Sequence, residues 1–291
     1  MKIALSTDTS CTISKELAKE LGIYIFPLNV IIDGTEYLDG VSINQEELNQ
    51  AMRGGKIIKT STPPPADIIK YFNKLFEEGY DKVIHLTISS KLSSMNDLFN
   101  RISHDEFNDK IIVIDSYSVC SLMLSHVLFA YDELQKGTAP EDIKELIKNR
   151  VNDNFVSFIP ENLTALKNGG RISPAIAKLG NLIGLKPVLL LKDGCLEKDE
   201  MTRNIKKSFQ SHIAETVAKY PIDKYDFSIV SFDGKEASLN YIKEVFKTYH
   251  PDYNLHVLPI AINVCAHCGP GTIGLIISPR INEHSLNEFL D

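Results

Sequence analysis

"KVIHLTISSKLSSMNDLF" (Lys82–Phe99) decides the fold. Lys82–Thr87 is an apolar run bounded by a polar turn and reads as a strand, and apolar residues recur at helical spacing over Ser93–Ile102. A strand that passes through a short turn into a helix is half of a βαβ unit. In a parallel sheet the carboxyl ends of the strands face the ligand crevice. Ser89, Ser90, Ser93 and Ser94 therefore stand where a ligand is expected. Ser93 and Ser94 also lie by the N-terminus of the following helix, where free N–H groups and the helix dipole favour an anion. The plainer alternative is that one of them only caps that helix.

Outward from this unit the pattern repeats. Lys2–Ser6, Ile23–Ile32 and Lys110–Ile114 read as strands. Ile13–Leu21, Gln45–Arg53, Ala66–Glu78, Val119–Leu134 and Pro140–Val151 read as helices. Such alternation predicts a parallel three-layer α/β/α domain, assigned to residues 1–157. From the strand Phe155–Ile159 onward hairpins mix with helices. A helix is expected over Pro174–Ile183, and Pro187–Lys192 and Leu196–Lys198 flank Asp193-Gly194 as a hairpin. Helices Arg203–Tyr220 and Glu236–Tyr249 and strands Tyr225–Val230, Asn254–Pro259 and Thr272–Ser278 follow. The second domain, residues 158–291, is therefore expected to be α+β, with the boundary near residues 155–160.

The totals narrow the function. A net charge of −7 argues against nucleic acid as the main partner, because phosphate contacts need clustered Lys and Arg. No apolar run approaches the ~20 residues of a membrane span. The opening MKIALSTDTS lacks the apolar region of a secretion signal, and the five cysteines are an odd, scattered set. A cytoplasmic location is expected.

Three further segments could carry chemistry. "KTSTPPP" (Lys59–Pro65) holds Thr60, Ser61 and Thr62 before three stiffening prolines; it could equally be a rigid loop before a capped helix. "NGGRIS" (Asn168–Ser173) offers a cation, Arg171, beside backbone made permissive by two glycines; a helix cap followed by a solvated arginine is the alternative. "INVCAHCGPGTIGLIIS" (Ile262–Ser278) sets His267 between Cys265 and Cys268. A zinc site needs about four ligands, and no second Cys/His cluster stands nearby. A redox CxxC belongs at the start of a helix, which Gly-Pro-Gly discourages. The remaining reading is a tight turn at Gly269-Pro270-Gly271 whose backbone approaches a ligand and aims His267.

Taken together and in order, these segments resemble the DegV family. The pattern of a strand followed by Thr-Asp-Ser is matched by "STDTS" at Ser6–Ser10, with Thr9 in the serine place. Thr60-Ser61-Thr62-Pro63 stands for Thr-Ser-Gln-Pro, and Leu92-Ser93-Ser94-Met95 for Leu-Ser-Gly-Thr. Gly-Gly-Arg-Ile-Ser is met in full at Gly169–Ser173, "GLKPVLLLKDG" (Gly184–Gly194) matches an Ile-Lys-Pro segment, and His267–Gly271 matches His-x-Gly-Pro-Gly. The resemblance implies a two-domain α/β fold with a long-chain fatty acid in a cleft between the domains. It implies a carrier, not an enzyme, working in a bacterial fatty acid kinase system. A separate ATP-dependent kinase subunit converts the bound carboxylate to an acyl phosphate, and the carrier exchanges lipid through peripheral membrane contact. No metal or cofactor is implied beyond the lipid, and the chain lacks a P-loop. Carried over, Thr60 or Ser61, Ser93 and His267 bind the carboxylate; Gly269 and Gly271 form the ligand turn; Arg171 and Arg203 lie near the cleft mouth, toward phosphate or partner. Three departures stand out: Thr62 for Gln, Ser94-Met95 for Gly-Thr, and Leu122 where a glycine is expected. Crowding by Met95 or Leu122 would alter which lipid fits.

The physics suits such a carrier. About fourteen buried methylenes at ~0.8 kcal/mol each supply roughly 11 kcal/mol before ordering costs. That gain survives only if the carboxylate is hydrogen-bonded. Ile172, Ile176, Leu179, Leu182, Ile183 and Leu185 could line an acyl tunnel or be ordinary core. Two competing readings are a serine hydrolase acting on acyl esters through Ser93 and His267, oriented by Asp8 or Asp115, and a binder of small non-lipid acids.

Overall fold

The computed structural model describes residues 1–161, 163–172 and 185–291. The helix expected over Pro174–Ile183 lies outside these residues, as do Ser173, Ile176, Leu179, Leu182 and Ile183.

The first sheet is all parallel. Strands β1 (Ile3–Asp8), β2 (Ile23–Phe26), β6 (Lys82–Thr87) and β7 (Ile111–Asp115) pair in the order β2-β1-β6-β7. Alternate residues of each strand serve opposite faces, as the two-residue period requires. Ala4, Val83 and Val113 join Phe72 and Phe99 of helices α3 (Pro65–Glu77) and α4 (Met95–Phe107) in one core. Leu5, Ile84, Leu86 and Ile114 join Met123 and Val127 of α5 (Cys120–Gln135) and Ile143 and Ile147 of α6 (Pro140–Arg150) in the other. Helices on both faces of a parallel sheet make the expected three-layer α/β/α arrangement.

One expected strand is in fact two. Ile23–Ile32 breaks at Pro27, which has no N–H for a ladder. Ile23–Phe26 stays in the parallel sheet, whereas β3 (Asn29–Ile32) leaves it for a small antiparallel sheet, β4-β3-β5. Its partners β4 (Thr35–Leu38) and β5 (Ile58–Ser61) were not expected as strands. β5 contains most of what reads as a loop before the prolines, and its register sets Thr60 against Val30 and Ser61 against Asn29. Helix α2 (Gln45–Arg53) starts where expected, because Asn44 and Glu47 form a reciprocal capping box. α1 (Lys15–Leu21) begins two residues later than expected, at the Ser14 cap.

The second sheet runs β10-β9-β8-β13-β11-β12 and is antiparallel except for the β11–β12 pair. β8 (Phe155–Ile159), β9 (Lys186–Lys192), β10 (Cys195–Thr202), β11 (Tyr225–Phe232), β12 (Val257–Pro259) and β13 (Thr272–Pro279) supply it. The Asp193-Gly194 hairpin forms as expected, both residues having positive φ, 47° and 77°. One face of this sheet packs Phe227, Ile229 and Leu275 against Phe209 and Ile213 of helix Ile205–Lys219 and Phe246 of helix Glu236–Lys247. The other face sends Phe158, Val230 and Phe232 into the same core as Phe72 and Phe99. The two sheets therefore share a buried seam, and the candidate site opens from it. Two short helices complete its walls: α7 (Thr164–Gly169) and Ile262–Cys268, neither foreseen from the sequence.

Candidate functional site

A cavity of about 250 Å³ lies in that seam. Its wall is mostly apolar, with Leu28, Ile88, Met95, Val119, Phe158 and Leu189 among the lining residues. Its polar wall combines Thr60, Ser61, Ser93, Arg171 and His267. A larger cleft, about 750 Å³, opens beside α1 and the segment Leu258–Ile262, but none of these five residues lines it.

His267 sits in the last turn of helix Ile262–Cys268. That helix ends at Gly269, whose φ of 79° and N–H bond to Cys265 O close it. The Thr272 hydroxyl donates to Gly269 O at 2.7 Å and pins the turn. His267 Nε2 then meets Thr60 Oγ1 at 2.8 Å. Burial, and next the Arg171 guanidinium, lower the His267 pKa to about 4, so the ring is neutral at ordinary pH. Its Nδ1 is buried and has no hydrogen-bond partner among the described residues.

Arg171 lines the cavity and is half-buried. Its Nε donates to Leu92 O at 3.3 Å and its Nη1 to Gly169 O, which leaves further N–H groups for an anion. Ser93 Oγ accepts the Met95 N–H at 3.4 Å, and among the described residues no acceptor takes its own proton. Ser61, by contrast, donates its hydrogen to Glu36 Oε1 at 3.2 Å. Ser89 and Ser90 are structural, whereas Ser94 also lines the cavity. Ser89 Oγ donates to Gly194 O at 2.9 Å, Ser90 N–H bonds Asp115, and Ser94 begins α4 without a side-chain cap bond.

Several expected site residues stand apart. Gly269 and Gly271 do not line the cavity; they back the helix end against Ala165 and Glu161, where a Cβ at Gly271 would come within 2.3 Å of Glu161 Oε2. The ligand-approaching turn expected there is thus a support for His267. Arg203 is exposed just ahead of the Asn204 cap and does not line the cavity. Met95 lines the cavity, whereas Leu122 is buried in core and does not. Cys265 turns to Ile260 O at 3.2 Å, Cys268 toward Cys265 O, and His267 to Thr60, so these three side chains do not converge.

Two further residues, outside the expected ligand-binding set, contribute. Asn263 lies one helical turn before His267 and lines the same cavity; its Nδ2 donates to Ser10 Oγ at 2.7 Å. Recognising the helix would have revealed it, because residues four apart share a face. Asp8 of the STDTS stretch works from behind, accepting the Ser10 and Ile88 N–H groups at 2.8 Å each and so fixing the loop that leads to Ser93.

A family model described as "Uncharacterised protein, DegV family" matches residues 2–280. The chain belongs to the DegV family. A DegV domain-containing protein of Deinococcus radiodurans is 28% identical over 96% of this chain and 99% of its own length. Among solved structures, a DegV family protein from Thermus thermophilus described for fatty acid binding aligns with a TM-score of 0.84 at 28% identity, covering 96% of this chain and 100% of that one. A stearic-acid-binding protein from Eubacterium ventriosum aligns with a TM-score of 0.84 at 26% identity, covering 97% and 99%. The DegV motifs at Thr60, Ser93, Arg171 and His267 come from four separate segments, and the fold brings all four to one cavity.

Proposed function

We propose that the protein binds a long-chain fatty acid in this cavity and presents its carboxylate to a separate ATP-dependent kinase for acyl-phosphate formation. One observation carries the reading: Thr60, Ser93, Arg171 and His267 meet at the polar wall of a mostly apolar cavity. The fatty acid binding named for the Thermus and Eubacterium relatives supports it. An acyl chain gains from leaving water, and the carboxylate recovers its lost hydration from short hydroxyls and a guanidinium. Neutral His267 adds no charge but holds Thr60 in place. In this reading the lobes are residues 1–157 and 158–291, the protein is a cytoplasmic carrier rather than an enzyme, and lipid enters from a membrane surface by transient contact.

The hydrolase reading lacks its relay. His267 bonds Thr60 rather than Ser93, its second nitrogen faces Gly169, and Asp8 and Asp115 accept backbone N–H groups elsewhere. Native mass spectrometry of the purified protein, followed by solvent extraction, tests the proposal. Recovery of a stoichiometric long-chain acid, unhydrolysed and unmodified without the kinase, is expected. A lipid-free protein that takes up no palmitate would overturn it.

A further inference from the structure

The two glycines of the Asn168–Ser173 motif do different work. Gly170 has a φ of 68° and ends α7, so its conformational freedom explains it. Gly169 is not among the positive-φ glycines, and no backbone demand accounts for it. What it lacks is room. A Cβ there would stand 2.1 Å from His267 Nδ1 and 3.0 Å from Cε1. The imidazole ring occupies the space that any other residue would fill.

We propose that Gly169 is a positioning residue that locks His267 in its Nε2–H tautomer and thereby makes the Thr60 hydroxyl a committed donor to the ligand. The α-hydrogen that stands in place of Cβ points at Nδ1. A proton on Nδ1 would set hydrogen against hydrogen and bury a donor that has no acceptor among the described residues, the rarer and costlier kind of orphan. A bare lone pair on Nδ1 meets a weak C–H donor instead. The ring proton then sits on Nε2 and donates to Thr60 Oγ1 at 2.8 Å. Having accepted that bond, Thr60 directs its own hydrogen toward the cavity.

The consequence reaches the ligand and rests on the fatty-acid reading above. Ser93 already accepts from Met95 and Arg171 has only donors, so the head group meets hydrogens from Thr60, Ser93 and Arg171. Such a wall favours a group that brings only acceptors, an ionised carboxylate. A fatty alcohol or primary amide brings no negative charge to Arg171, and its hydrogens have only the second lone pairs of Thr60 and Ser93 to meet.

The tautomer can be read without lipid. In ¹⁵N-histidine-labelled protein, His267 should show a pyrrole-type Nε2 and a pyridine-type Nδ1; the reverse assignment would overturn the proposal. Palmitate binding gives a second test. Gly169→Ala should lose at least tenfold in affinity in the natural sequence and nothing further in a His267→Ala background, because the ring it displaces is already gone. Equal losses in both backgrounds would sink the idea. Should Gly169→Ala fail to fold, the nitrogen shifts of the unaltered protein decide alone. If that protein binds no palmitate yet shows the Nε2–H pattern, the lipid reading fails while the positioning role stands.

Discussion

Thr60 Oγ1 and His267 Nε2 lie 2.8 Å apart although 207 residues separate them in the chain. The bond ties the edge strand β5 to the helix that leads into β13, across the seam where the cavity opens. Thr60→Val keeps the shape and removes the hydroxyl. Palmitate affinity should fall by about 1–3 kcal/mol, because a buried head group loses a partner and the imidazole loses another. Thr60→Ser should retain most of the affinity. Calorimetric titration reads both, and a valine variant that binds as well as the natural protein would remove the pair from the site.

Ser61 and Ser93 separate two roles that look alike in the sequence. Ser61 gives its hydrogen to Glu36, so Ser61→Ala should change palmitate affinity little, while Ser93→Ala should weaken it by about 1–3 kcal/mol. The reverse ranking in a displacement titration would mean that the carboxylate lies nearer the small sheet than its hydrogen bonds suggest.

What could be read in advance follows from how local each signal is. The capping box at Asn44 and Glu47 and the turn at Asp193-Gly194 are written in neighbouring residues, and both elements form where expected. The β3–β4–β5 sheet was missed because its strands are four residues each, too short to show a period. The helix Ile262–Cys268 was missed because Gly-Pro-Gly follows it; the breaker marks its end, not its absence. Motif order pointed to Thr60, Ser93, Arg171 and His267, all of which line the cavity. The Gly169–His267 contact and the diversion of Ser61 to Glu36 depend on tertiary approach, which no spacing encodes.

Arg171 should matter for binding itself. It is braced by Leu92 O and Gly169 O, and its charge depresses the His267 pKa after burial does. Arg171→Ala should weaken palmitate binding and raise the His267 pKa, both measurable by titration followed with NMR. Arg171→Lys should rescue poorly, because one ammonium cannot hold two carbonyls and still face an anion as a planar guanidinium does. If binding is unchanged and only phosphorylation by the kinase slows, Arg171 serves the partner instead.

Asp39 offers a test in the opposite direction. Burial raises its pKa to about 7, so the folded state carries a penalty that grows as pH rises from the unfolded value, about 3.8, through 7. Asp39→Asn keeps an oxygen for the Asn263 N–H, which Asp39 accepts at 3.2 Å. The variant should gain stability relative to the natural protein between pH 4 and pH 8 in urea unfolding. A constant difference across that range would show that the carboxyl titrates normally.

His85 should set part of the acid limit of stability. It is fully buried in β6, with Nδ1 2.9 Å from Ser6 Oγ and its ring stacked on Phe99 at 4.4 Å. Burial lowers its pKa to about 3. The unfolded chain, with a histidine pKa of about 6.5, binds the proton that the folded state refuses. Stability from this residue is therefore complete above about pH 6.5 and declines below it by roughly 1.4 kcal/mol per pH unit until the folded pKa is reached. His85→Phe preserves the stack on Phe99, and Ser6 keeps Tyr71 Oη as a partner at 2.7 Å. On passing from pH 6.5 to pH 5 the stability difference should move by about 2 kcal/mol in favour of the variant. Urea midpoints at the two pH values measure it, and because both proteins carry the same raised carboxyls, those contributions cancel. A difference that does not move with pH would mean that water or a proton reaches His85 in the folded protein.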